Sequence, residues 1–121
     1  MIKKFDLQKI ELEVIEWFIN EYPDILDSLE NQLQKVQNIE RKFTGVGVFV
    51  CFSYLDIDIY DFKKNCNNKI LDGLSIKSSE LKHICSISLH LKDDCMIDYI
   101  EFEFGFLEKK YPENYSLISF L

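Results

Sequence analysis

The order of hydrophobic periods in this sequence predicts an α+β fold, with two N-terminal helices packed on one face of an antiparallel β-sheet. Three observations carry that prediction. Apolar residues recur at helical spacing as far as about residue 38, and they alternate in steps of two from about residue 40. Two late runs also fall into register around one Asp-Asp pair.

Asp6 is placed to cap a first helix from Leu7 to about Glu21, with Ile10, Val14, Trp17 and Phe18 on one stripe and Ile15, Ile19 and Tyr22 beside it. Tyr22-Pro23-Asp24 ends it, because proline disfavours helical backbone in the residue before it and suits the first turn of the next helix. A second helix is expected from Pro23 to about Gln37, its core stripe being Ile25, Leu26, Leu29, Leu33 and Val36.

A strand follows in which Val46, Val48, Val50 and Phe52 alternate with Gly47, Phe49 and Cys51. Apolar residues on both faces suit an interior strand. Gly45 and Gly47 lack the third glycine and the following helix of a phosphate loop. They read instead as permitting an unusual backbone angle or a close approach where the strand starts. Leu55, Ile57 and Ile59 alternate with Asp56, Asp58 and Tyr60, out of phase with Phe52, so a bulge is expected near Ser53-Tyr54. Residues 63–73 are polar and read as loop.

Asp93-Asp94 as a two-residue turn sets Lys92 opposite Cys95, Leu91 opposite Met96, Leu89 opposite Asp98, Ile87 opposite Ile100, Cys85 opposite Phe102 and His83 opposite Phe104. That face is mostly apolar. The other face carries Ile84, Ser86, Ser88 and His90 against Ile97, Tyr99, Glu101 and Glu103. The tail from Phe106 to Leu121 matches no template.

At 121 residues the chain is read as one domain, 1–121, and its 47% apolar content is too high for disorder. The net charge of −7 argues against nucleic-acid partners and favours a basic one. Charged residues interrupt every window after Lys3-Lys4, so neither a signal peptide nor a membrane span is expected. Cys51, Cys66, Cys85 and Cys95 have no tight spacing and read as free thiols in a cytoplasmic protein.

Catalytic and metal chemistry find little purchase. His83 and Cys85 share a strand face, with Cys66, His90 and Cys95 as further donors, but no zinc spacing joins them and His90 points the other way. Thiol hydrolysis needs a histidine beside a cysteine, and the sequence singles out none. Asp56 and Asp58 could hold a divalent cation, yet a solvated strand face has the same pattern. No cofactor and no catalytic residue are expected.

The segment Arg41-Lys42-Phe43-Thr44-Gly45-Val46-Gly47-Val48-Phe49 resembles a family of small bacterial proteins that carry a stretch close to Arg-x-Tyr-Thr-Gly-Val-Gly-Phe-Phe after a helical N-terminal third. Asp94, Ile97, Ile100 and Glu101, then Phe102, Phe104 and Gly105, match a later hairpin pattern, with Cys95 where the pattern has a turn glycine. By type, such proteins are similar to immunity proteins of contact-dependent growth inhibition and other polymorphic toxin systems. The resemblance implies a non-enzymatic inhibitor of a cognate toxin domain, a basic nuclease being the expected target. The partner surface is expected at Tyr99, Glu101 and Glu103, with Asp56, Asp58 and Tyr60 contributing. A small-ligand or weakly hydrolytic domain is the alternative, and self-association through the open sheet face is a third.

Overall fold

The structure, a computed structural model, describes residues 3, 6–54, 69–104 and 110–121. Helices α1 (Lys9–Glu21) and α2 (Leu29–Gln34) precede strands β1 (Val36–Phe43), β2 (Val48–Tyr54), β3 (Ile70–Lys77), β4 (Cys85–Leu91), β5 (Ile97–Phe102) and β6 (Ser116–Ser119). The strands form one antiparallel sheet in the order β1-β2-β5-β4-β3-β6. The expected α+β class is therefore what the chain adopts, and β2 is an interior strand.

α1 begins two residues later than expected. Asp6 accepts from the Lys3 amide at 2.7 Å in a short turn, while the Gln8 amide is taken up by the Glu11 carboxylate at 2.8 Å in the helix's first turn. The buried residues Ile10, Val14, Ile15 and Phe18 form the stripe that meets the sheet. Arg41 on β1 holds Glu11 near the helix start, and the Tyr22 hydroxyl donates to the Asp72 carbonyl of β3 at its end. β1 and β3 stand four inter-strand spacings apart, roughly 19 Å. A 13-residue helix is about as long, roughly 20 Å, so α1 bridges almost the whole sheet.

The second helix is much shorter than expected. The amides of Ile25 and Leu26 both return to the Tyr22 carbonyl, making a turn, and Ser28 caps α2 by accepting from the Asn31 amide. Val36 already belongs to β1. Leu26, Leu29, Leu33 and Val36 are all buried, so the periodicity located the core side correctly across a turn, a helix and a strand.

β1 and β2 are joined through Thr44–Gly47, with the Thr44 amide donating to the Gly47 carbonyl at 2.9 Å. Gly45 has φ +86, which L side chains resist. A Cβ on Gly47 would stand 2.4 Å from the Phe102 carbonyl oxygen. Both expected roles for these glycines are present, although Val46 is in the turn and 78% exposed rather than in the strand. Residues 70–73, read as loop, belong to β3, which carries a register irregularity between Leu71 and Leu74.

The late hairpin exists with a different register. Ile87 faces Phe102, Leu89 faces Ile100 and His90 faces Tyr99. The turn holds three residues: the Cys95 amide closes on the Lys92 carbonyl, the Lys92 amide on the Met96 carbonyl, and Cys95 takes φ 68. A second irregularity pairs Leu91 with Ile97, leaving Asp98 as the extra residue. The two changes together move the expected register by two residues, which keeps most side chains on their expected faces. Met96 and Ile97 are the exceptions. Both lie before the bulge, opposite Lys92 and Leu91, so Ile97 is buried rather than on the outer face and Met96 leaves the apolar face expected for it.

Candidate interaction face

Alternation sorts the sheet into two faces. Val48, Val50, Phe52, Leu71, Leu74, Ile76, Ile87, Leu89, Ile100 and Phe102 are buried and pack with the α1 stripe in one core. The residues between them form the outer face: Glu40 and Lys42 on β1, Phe49 and Cys51 on β2, Tyr99 and Glu101 on β5, Ser86, Ser88 and His90 on β4.

Register makes a cluster of the central positions. Tyr99 is directly opposite Cys51 on one side and His90 on the other. The His90 ring stacks on the Tyr99 ring with centroids 4.1 Å apart and planes 14° apart, and Phe49 meets Tyr99 edge-on at 5.9 Å. His90 Nε2 is 3.3 Å from a Glu101 carboxylate oxygen and 3.1 Å from Ser88 Oγ. Burial, with the charges of Glu101 and Asp98, pushes the Tyr99 phenol above its ordinary value.

Of the residues expected to meet a partner, Tyr99 and Glu101 stand together on this face. Glu103 is exposed just beyond β5, where its amide donates to the Ser86 carbonyl. Asp56, Asp58 and Tyr60 lie outside the described residues. His90 and Phe49 complete the cluster. The sequence offered a signal for His90, since it was assigned to the same face as Tyr99, but the two-residue register difference hid that they touch.

The described thiols are tuned away from nucleophilic chemistry. Burial pushes Cys51 up, and Glu40 and Asp98 add to this against Lys42; burial and Glu103 push Cys85 up. Cys85 donates to the His83 carbonyl, and both thiols are free. Cys95, by contrast, is disulfide-bonded. That corrects the reading of four free thiols: bridging depends on the distance that the fold sets between two cysteines, which sequence spacing does not report. Cys66 lies outside the described residues. Among the described residues no three His, Cys, Asp or Glu side chains gather as a metal site would require, and no helix is long and apolar enough to cross a membrane.

A second polar cluster lies on the helix side. Glu11, fully buried, receives Arg41 Nε and Nη2 at 2.6 Å each, the Tyr111 hydroxyl at 2.6 Å and the Gln8 amide. Tyr111 also packs its ring against Phe102 and Phe43. Every lone-pair direction of Glu11 is engaged within the protein, so this cluster fixes the fold rather than presenting a site. The Arg41 that opens the family-like segment thus has a structural partner.

Searches against protein-family models, curated proteins and solved structures return no match to this chain.

Proposed function

We propose that this protein is a non-enzymatic immunity protein that neutralises a basic toxin domain by covering it with the outer face of its sheet. The observation that carries the reading is the Tyr99 cluster. Rigid half-buried rings (Tyr99, His90, Phe49) sit beside Glu101 and near Glu103 and Glu40, on a face that the described helices leave uncovered. Aromatic anchors supply contact area at low entropic cost, and carboxylates speed encounter with a basic partner and reject acidic ones. The net charge of −7 adds long-range steering. The upward-shifted thiols support a binder over a thiol-dependent catalyst.

Its proposed place of action is the cytoplasm. The bridged Cys95 weighs on the other side, since disulfides persist mainly in oxidising compartments.

The test is co-expression with the toxin domain encoded beside this gene. The double substitution Glu101→Lys and Glu103→Lys sets like charges against a basic surface and should weaken binding by about a thousandfold. Glu103→Lys alone, at an exposed position, separates loss of binding from loss of folding, and circular dichroism checks the fold of each variant. Full protection by a folded double variant would move the interface elsewhere. A genomic setting with no toxin beside the gene would remove the immunity reading.

A further inference from the structure

One rung of the sheet's outer face crosses five strands. Register aligns Glu40 on β1, Cys51 on β2, Tyr99 on β5, His90 on β4 and Ile70 on β3. Within it the His90 ring stacks on the Tyr99 ring, with centroids 4.1 Å apart. That separation is close to the roughly 4.8 Å between neighbouring strands, so a planar group on the next strand would continue the stack. The next strand carries Cys51, the smallest side chain of the five. His90 already covers one face of the Tyr99 ring, which leaves the side toward Cys51 for any further group.

Carboxylates and a second ring surround the position above Cys51. Glu40 flanks it on β1. Phe49, next along β2 on this face, meets the Tyr99 ring edge-on at 5.9 Å, and Glu101 lies directly opposite Phe49. One Glu101 carboxylate oxygen is 3.3 Å from His90 Nε2, and its side chain keeps 25% of its surface exposed. Glu40, Asp98 and Lys42 all act electrostatically on the Cys51 thiol. With Glu101, three carboxylates therefore stand against one ammonium here among the described residues. Phe49, Cys51, Tyr99 and Glu101 are each half-buried, so solvent reaches the position.

We propose that the position above Cys51 seats one arginine side chain of the basic partner, its guanidinium stacked on Tyr99 between Glu40 and Glu101. The proposal rests on the reading of this face as the partner surface, and names the side chain that the face selects. A guanidinium is planar, so it can continue the stack of His90 and Tyr99. Its N–H donors lie in that plane and point outward, toward carboxylates on either side. A lysine ammonium brings the same charge, but it has no plane to stack and holds its water more strongly. A neutral ring could stack, yet it would leave the carboxylates without a cation, and an acidic side chain would be repelled. Arginine alone answers both the ring and the charge.

Titration with two capped peptides, acetyl-Gly-Arg-Gly-amide and acetyl-Gly-Lys-Gly-amide, followed by NMR of the backbone amides, tests the seat without the toxin. The arginine peptide should give saturable shifts at Glu40, Cys51 and Tyr99. Its affinity should be in the millimolar range, as one exposed cation–π contact with an ion pair allows. The lysine peptide should bind several-fold more weakly. Cys51→Leu, which fills the position, should abolish the saturable shift at Tyr99, while Cys51→Ala keeps it. Circular dichroism checks the fold of both variants. No saturable shift, an equal response to the two peptides, or binding that survives Cys51→Leu overturns the proposal. Free arginine binding more tightly than the capped peptide would mark a small-molecule site, and overturns it equally. The seat and the face fail separately. Lost protection in the double variant Glu101→Lys and Glu103→Lys, with no peptide binding to the wild type, keeps the partner face and removes the seat. Peptide binding by the wild type, with full protection by folded Cys51→Leu, removes the partner's arginine.

Discussion

Arg41 meets Glu11 through two parallel bonds of 2.6 Å, one from Nε and one from Nη2, across thirty residues of sequence. The carboxylate is completely buried, while the arginine side chain keeps 22% of its surface in water. Hydrogen bonding to Glu11 raises the Arg41 guanidinium further above its ordinary value, against the opposing effect of burial.

Removing one partner of such a pair strands a buried charge. Arg41→Met should cost about 3–5 kcal/mol, whereas Glu11→Leu combined with Arg41→Met should recover much of that loss. Urea denaturation of the two single variants and the double variant gives the coupling directly.

Stability should fall in alkali, and the sign follows from the tyrosines. Burial raises the phenols of Tyr54 and Tyr111 well above the ordinary value of 10.0, and Glu11 adds to the effect at Tyr111. Below pH 10 folded and unfolded chains hold the same phenolic protons, so this contribution is fully present. Above it the unfolded chain releases protons that the folded one keeps, and stability drops by up to about 1.4 kcal/mol per pH unit for each tyrosine. Denaturation midpoints measured from neutral pH upward check this, and Tyr111→Phe should make the alkaline decline shallower.

The two turn glycines should respond to alanine for different reasons. Gly47→Ala drives a methyl group into the Phe102 carbonyl and should cost about 1–3 kcal/mol or more. Gly45→Ala meets no atom within 4 Å and suffers only the left-handed backbone, about 1–2 kcal/mol. Gly45→Asn should recover part of that, since asparagine tolerates such angles, while no polar substitution rescues Gly47.

Thiol chemistry should divide the cysteines. Under denaturing, non-reducing conditions an alkylating reagent should modify Cys51 and Cys85 and spare Cys95 until a reductant is added. Peptide mass mapping identifies each site. Modification of Cys95 without reductant would contradict the bridge.

Burial was far more legible in the sequence than conformation. The expected core stripe of Ile25, Leu26, Leu29, Leu33 and Val36 is buried except for the half-buried Ile25, but a single helical template spans what is a turn, a helix and a strand. The spacing of a short apolar series cannot separate these, because tertiary pairing decides. β1 was invisible for a related reason: its pattern, Val36 buried and then mostly polar residues, is that of an edge strand held by its neighbour. In the late hairpin, Asp93-Asp94 gave away the turn, yet Cys95 extends it. Cys95 takes φ 68, where glycine or asparagine is usual, so its residue type does not mark the position; only the turn glycine of the resembled pattern points to it. Of the candidate face, Tyr99 and Glu101 were found from alternation alone. The stack of His90 on Tyr99 required the true register.

Glu11 waits for a partner one hundred residues further along the chain. During synthesis α1, carrying a carboxylate that its apolar stripe will bury, emerges about one hundred residues before Tyr111, and before Tyr115 with its bond to Glu13. An N-terminal fragment that ends before residue 110 can pair Glu11 with Arg41 and still lacks these two hydroxyls and the ring of Tyr111 between Phe43 and Phe102. Contacts this distant in sequence make for slow closure. Until residues 111–115 have cleared the ribosome exit, α1 and the first strands lack these contacts.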